Sequence, residues 1–288
     1  MDRWQYKFSL RHFIPLRLLK YFSEMHYVTI EALLLITLYH FFEHGFPLNI
    51  LIAVIASIVS DIALQVSLFK KPIRLPLPAV ISGLIIGLVS PFSTSIITVV
   101  IPSIIAVFSK FFISFNKIHF FNPAVFGVVA SMFLFSSIAS HVSPEGSAHM
   151  AGMGEANIGG FSVNLIFVPF LVYASYAARR LTVSIPNLIT SGLLYYFTGL
   201  AHLDILNSFS ILNFLNTLPY FFSFIIASEP KTSPVSKNLQ IIFGVGIAIL
   251  PFLPLFFGKS YDHVGALVSL LVGNLIYAVF RNSLMISK

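Results

Sequence analysis

The sequence predicts an all-α integral membrane fold: ten transmembrane helices in two inverted five-helix repeats, the third and eighth helices short or broken. Three observations predict it. Of 288 residues, 57% are hydrophobic and 9% charged, and mean hydropathy is +0.91; soluble domains carry about 25% charged residues. The apolar runs have helical lengths, not the ten-residue alternation of an outer-membrane barrel. The basic residues also fall almost entirely on one side once the spans are counted.

Taken in order, residues 1–26 carry Arg3, Lys7, Arg11, Arg17 and Lys20 among apolar residues, with no h-region of a cleavable signal. This is expected as a cytoplasmic basic segment, lying on an anionic leaflet or fixing topology. Spans near 27–43, 48–69, 76–90, 95–115 and 122–140 form the first repeat, 27–140. The third is bounded by Pro76 or Pro78 and by Pro91 and falls short of the ~20 residues a crossing needs. An outer loop follows at 141–159. Spans near 160–178, 183–202, 209–228, 239–257 and 262–281 form the second repeat, 160–282, and 283–288 is a cytoplasmic tail.

With the N-terminus inside, Lys70, Lys71, Arg74, Lys110, Lys117, Arg179, Arg180, Lys231, Lys237, Arg281 and Lys288 join the five N-terminal cations on the inner face. Only Lys259 of the 17 basic residues falls outside, as the positive-inside rule requires. The expectation is a multi-pass protein of the cell membrane with both termini cytoplasmic. The net charge of +7 is a topology signal and does not indicate nucleic acid. With no Cys, disulfides, thiolate-bound iron–sulfur clusters and thiol catalysis are excluded within this chain.

Five spans per half makes the halves antiparallel if they are repeats. The third span ends Gly87-Leu88-Val89-Ser90-Pro91 and the eighth Ile226-Ala227-Ser228-Glu229-Pro230, at corresponding places. Short, Pro-interrupted spans in inverted repeats point to a site near the midplane. The segment Ser228-Glu229-Pro230-Lys231-Thr232-Ser233-Pro234 reads either as a polar turn between spans or as backbone kept beside a wet cavity. Asn122-Pro123 reads as a helix N-cap with Pro at the first helical position, and Gly127 permits close packing of another helix.

Together these pieces resemble the membrane subunits RnfD and NqrB. His119-Phe120-Phe121-Asn122-Pro123-Ala124-Val125-Phe126-Gly127 is similar to their Phe-Asn-Pro-Ala-x-x-Gly motif. Ser82-Gly83-Leu84-Ile85-Ile86-Gly87-Leu88 is similar to their Ser-Gly-rich third helix. Ala227 to Pro234, followed by Phe243-Gly244, resembles their Thr-Asp-Pro-x-Thr-x-Pro segment, and Gly265 to Asn274 their last helix. The resemblance covers about residues 75–280. It implies a subunit of an ion-translocating oxidoreductase, not catalytic on its own, in flavin- or quinone-linked electron transfer with other membrane subunits. It also implies that Ser82, Gly83, Gly87, Asn122, Gly127, Glu229, Thr232 and Ser233 line a central cofactor or ion site.

The family's Ser-Gly-Ala-Thr segment, whose Thr carries covalent FMN, has no counterpart. The outer loop from Ser140 to Gly160 contains no Thr. A flavin (FMN or riboflavin) is therefore expected to be non-covalent. The same scaffold without redox chemistry would be a small-solute or ion transporter or channel.

The outer side offers His141, His149, Met150 and Met153 in that loop, and His40 and His44 four apart on one helix face. These are candidates for a metal or haem site, against the plainer reading of tolerated loop residues. Asp61, mid-way along the second span after Ser57 and Ser60, reads as an ion or proton relay or as a polar clamp between helices. Glu31 lies near the inner end of its span and reads as interfacial. No P-loop, dinucleotide fingerprint or hydrolase elbow is present.

Overall fold

The computed structural model describes residues 16–70, 74–90, 96–115, 118–135, 157–158, 161–198, 211, 214–215, 218–258 and 264–286. Helix α1, Leu16–His44, has 29 residues, about 43 Å at 1.5 Å per residue. Residues 16–26, expected within the basic segment, thus continue the first span without a break. Gly45 ends α1: at φ +83° its N–H returns to Phe41 O at 3.1 Å, a left-handed cap that glycine adopts without steric cost.

Helix α2, Leu48–Ser67, runs antiparallel into α3, Leu77–Val89. With 13 residues, α3 reaches about 20 Å, short of a ~30 Å hydrocarbon core. Pro76 and Pro78 flank its first residue, where a missing N–H costs nothing. Helix α4, Ile96–Phe112, contains Pro102. A hairpin of two-residue strands, β1 (Ser114–Phe115) and β2 (Ile118–His119), pairs Ser114 with His119 and delivers the chain to α5, Pro123–Phe135.

A second small ladder, β3 (Asn157–Ile158) with β4 (Phe161–Ser162), leads directly into α6, Val163–Ala177. Helix α7 spans Leu181–Phe197. Within the expected eighth span the chain forms a π-helical turn, Phe222–Ile226, closed by Ala227 N–H to Phe222 O at 2.8 Å. Such widened turns are uncommon and concentrate at functional sites. Helix α8, Lys237–Ile249, is capped by Ser236. It continues through a 3₁₀ turn, Leu250–Phe252, into α9, Leu253–Phe256. The last helix is α10, Val264–Ile286.

Among the described residues, Leu48–Ser67 and Lys237–Phe256 are the helices long and apolar enough to cross a membrane alone. The exterior supports a lipid surround: Phe42, Phe133, Phe197, Phe256 and Phe257 are all more than 70% exposed. The interior is polar in places: Ser57, Asp61, Ser103, Asn187, Ser223 and Asn274 are fully buried. Apolar groups outside with polar groups inside is the pattern expected where lipid, not water, is the solvent.

Helix α2 packs on α3 and α4, and α1 on α3; in the second half α7 packs on the π-helical turn and α8, and α6 on the same turn. Helices α1 and α6 touch each other, as do α5 and α10. The core between them includes Leu33, Ile86, Val99, Val125, Val183, Ile247 and Leu270.

Candidate functional site

Three elements converge at the end of the bundle rich in basic side chains. They are the β1–β2 hairpin with the start of α5, the π-helical turn, and the loop Glu229–Ser233. Asn122 caps α5: its Oδ1 accepts from Val125 N–H at 3.2 Å, as the Asn-Pro pair predicts. Its Nδ2 donates to Ile226 O at 3.1 Å, a carbonyl of the π-helical turn. Asn274 on α10, with its amide oriented to satisfy both neighbours, donates to Thr232 O at 3.2 Å and accepts from Asn122 N–H at 3.1 Å. One asparagine thus ties the two sequence halves together, and a second locks it in place.

The Glu229 carboxylate is held from both sides. Oε1 lies 3.0 Å from His119 Nε2, and Oε2 accepts from Thr232 Oγ1 at 3.1 Å. Ser233 Oγ donates to Glu229 O at 2.6 Å. Buried Arg180 donates from Nε to Ser233 Oγ at 2.7 Å and from Nη2 to Pro230 O at 2.9 Å. A guanidinium presents several fixed donors at once, so Arg180 sets the loop's backbone and Glu229 inherits its direction.

These groups border a cavity of about 90 Å³, lined among others by His26, Ser82, Lys110, His119, Asn122, Glu229 and Lys231. Met25, Ile81, Ile85, Ala174, Phe224 and Ile225 supply apolar wall. Lys231 stands at the mouth. Although its side chain keeps solvent contact, the surrounding protein pushes its pKa below the ordinary lysine value; the Glu229 carboxylate opposes that shift and the Lys110 charge adds to it.

Of the residues the sequence nominates, Ser82, Asn122 and Glu229 line this cavity. Thr232 and Ser233 stand behind Glu229 and orient it. Gly83, Gly87 and Gly127 lie at helix crossings and not on the cavity wall. A Cβ on Gly83 would sit 2.6 Å from Val54 Cα, one on Gly87 2.5 Å from Ile50 Cα, and one on Gly127 2.2 Å from Pro102 O. These glycines let helices touch, as the sequence reading of Gly127 anticipated.

Asp61 lies outside the cavity wall, fully buried, with Lys110 Nζ 2.5 Å from Oδ2 and Gln65 Nε2 donating to Oδ1. The pair joins α2 to α4 through Lys110 and not through the nearby hydroxyls. Glu31 is exposed on α1. His141, His149, Met150 and Met153 lie outside the described residues. His40 and His44 occupy the last turns of α1. No cluster of three metal-ligating side chains occurs among the described residues.

Sequence reasoning missed Lys110, His119, Arg180, Asn187 and Asn274 as partners. Asn187 Nδ2 donates to Gly244 O at 3.1 Å, and its Oδ1 accepts from Ser223 Oγ at 2.7 Å, fastening α7 to α8 and to the π-helical turn. The available signal was position: an Asn or Lys inside an apolar helix needs a partner.

The cavity's donor set, imidazole, carboxylate, ammonium and amide, suits a small polar ligand or ion.

Residues 19–285 match the sequence model of the NQR2, RnfD, RnfE family. Comparison with curated proteins gives no match.

Proposed function

We propose the function of this chain from one premise: it belongs to the NQR2, RnfD, RnfE family, whose members are membrane subunits of multi-subunit Rnf and Nqr complexes. In our reading it serves flavin- or quinone-linked electron transfer coupled to ion movement, beside other membrane subunits in the cell membrane. Both termini lie in the cytoplasm and ten spans form two inverted repeats. The observation that carries this reading is the joining of the family-type segments: Asn122 bonds the π-helical turn at Ile226, and His119 bonds Glu229. The paired packing of α1 with α3 and of α6 with the π-helical turn, and of α2 with α4 and α7 with α8, supports the repeat arrangement.

The chain's own residues would act by holding groups and setting charge; the cofactor supplies the redox chemistry. FMN or riboflavin is held non-covalently in this reading. The cavity itself takes an ion or small polar group between Glu229, His119 and Lys231.

One observation favours a second reading, a transporter of small solutes or ions without redox chemistry: the loop 141–159 has no Thr for covalent FMN. The visible absorption spectrum of the detergent-purified protein, followed by acid precipitation, separates the two. Flavin bands that pass to the supernatant support the redox reading with non-covalent flavin. Flavin in the pellet would show covalent attachment at another residue. A colourless protein, also when purified with its membrane partners, overturns the redox reading in favour of transport.

A further inference from the structure

Among the described residues, positive φ occurs at helix ends, and the residue type divides by the end of the bundle. Gly45 after α1 (φ +83°) and Gly258 after α9 (φ +70°) close helices that run away from the basic end. Lys70 after α2 (φ +48°) and Arg179 after α6 (φ +55°) close helices that run toward it. Glycine enters this left-handed region without steric cost, and a residue with a Cβ does not. The helix dipole favours a cation at any helix C-terminus, so it would not confine the two cations to one end. The positive-inside rule accounts for the side, but a cation a residue or two further along would satisfy it equally. A separate interaction is needed to explain two long cations at the position that suits glycine best.

Both cations stand at the foot of a column of exposed side chains. On α2 the column is Leu51, Ile55, Val59, Val66 and Phe69, at helical spacing, and Lys70 follows it. Phe69 stacks on Phe111 with ring centroids 5.3 Å apart at 29°, which fixes this end of α2 against α4. On α6 the column is Ile166, Phe170, Tyr173 and Tyr176, and the Arg179 N–H returns to Tyr176 O at 2.8 Å. Aliphatic, phenyl, phenol, guanidinium: the order along α6 follows a phospholipid from acyl chain to phosphate, with Tyr at the interfacial level where it is enriched. Arg180 turns inward to Ser233 and Pro230, whereas Lys70 and Arg179 are exposed.

We propose that Lys70 and Arg179 are two binding points for the phosphodiester headgroups of anionic phospholipids, one at the end of α2 and one at the end of α6. The acyl chains lie along the exposed column of each helix, and the cation meets the phosphate. Guanidinium engages phosphate oxygens in pairs and ammonium engages them as a point charge. Lipid binding offsets the conformational cost of the left-handed turn and explains why glycine does not stand there. The inference rests on the chain being a membrane protein and on no redox or ion-coupling step.

The test is native mass spectrometry of the full chain released from a neutral detergent, with dioleoyl phosphatidylglycerol against dioleoyl phosphatidylcholine as probes. The wild type should hold phosphatidylglycerol the more tightly at two sites, by about fivefold each, the ordinary worth of one basic residue at an anionic surface. Lys70→Gly and Arg179→Gly relieve the backbone as they remove the charge. Each should lose one site and melt no lower than wild type in phosphatidylcholine nanodiscs. Lys237→Gln removes another exposed cation, in the first turn of α8, and should leave both sites intact. Equal retention of the two lipids by the wild type overturns the proposal, and leaves the two cations to an acidic protein partner or to topology alone. Unchanged retention in both glycine variants also overturns it. So does a loss in K237Q as large as in K70G or R179G, which would make the effect one of total surface charge. If a glycine variant melts lower or does not fold, K70Q or R179Q takes its place and is read in the same way. None of these readouts needs a chromophore or an ion gradient, so failure here leaves the redox reading standing, and failure there leaves the lipid sites standing.

Discussion

His119 Nε2 lies 3.0 Å from Glu229 Oε1, across 110 positions of sequence. It joins the hairpin ahead of α5 to the loop after the π-helical turn. Side-chain exposure is 7% for His119 and 24% for Glu229, so the contact is shielded without being sealed. A charge-assisted bond in such a setting contributes about 1.5–3 kcal/mol. The variants H119A and E229A, with their double mutant, should show a coupling energy of about 0.5–3 kcal/mol in thermal or denaturant unfolding of the purified protein. Strict additivity of the two single losses would mean that the two groups act independently.

Asn122 has two duties that can be separated. Asn122→Asp keeps an oxygen for Val125 N–H but loses the donor to Ile226 O; Asn122→Ala loses both. The N-cap alone is worth about 1 kcal/mol. N122A should therefore cost clearly more than that, and N122D should recover only the cap's share. Equal melting temperatures for N122D and wild type would show that the bond to the π-helical turn contributes nothing.

The helical character of the chain, the short α3 and the Asn122 cap were legible because each is a local signal: apolar length, flanking Pro, and a capping residue before Pro123. Residues whose meaning lies in a distant partner were not. Lys110 looked like one more cytoplasmic cation, and only the packing of α2 against α4 brings it to Asp61. Arg180 likewise reads as a topology charge after α6, yet it is 8% exposed and holds the Glu229 loop. The family-type glycines Gly83, Gly87 and Gly127 suggested a ligand site in sequence. In three dimensions the missing Cβ is occupied by a neighbouring backbone, a contact no single-helix pattern reveals. The π-helical turn has no propensity signature of its own, and tertiary bonds to Ile226 O and Ser223 Oγ define its surroundings.

That difference among glycines is measurable. Gly127→Ala would place Cβ 2.2 Å from Pro102 O and 2.9 Å from Ala106 Cβ, forcing α4 and α5 apart. Overpacking of this kind costs about 1–3 kcal/mol. Gly246, inside α8, has nothing within 4 Å of the same position, and alanine there should gain about 0.5–1 kcal/mol of helix propensity. G127A should lower the melting temperature and G246A should leave it unchanged or raise it. A stable G127A would mean that α4 and α5 are less tightly fixed than the backbone contact implies.

Lys231 gives the cavity a defined pH response. Its pKa in the folded chain lies below the ordinary 10.5, chiefly through desolvation by the protein around an otherwise exposed side chain, with Lys110 adding to the shift and Glu229 opposing it. Between the folded value and 10.5 the unfolded chain binds more protons at this group than the folded chain does, so stability rises with pH across that window. Below it, both states carry the full charge and the cost of holding an ammonium at the mouth is constant. Lys231→Met removes the group. The melting temperature of wild type minus that of K231M should therefore be flat near neutral pH and climb as the pH rises toward 10.5. A difference that falls with rising pH would reverse the sign, and would place Lys231 in a net attractive contact with Glu229 strong enough to outweigh its desolvation.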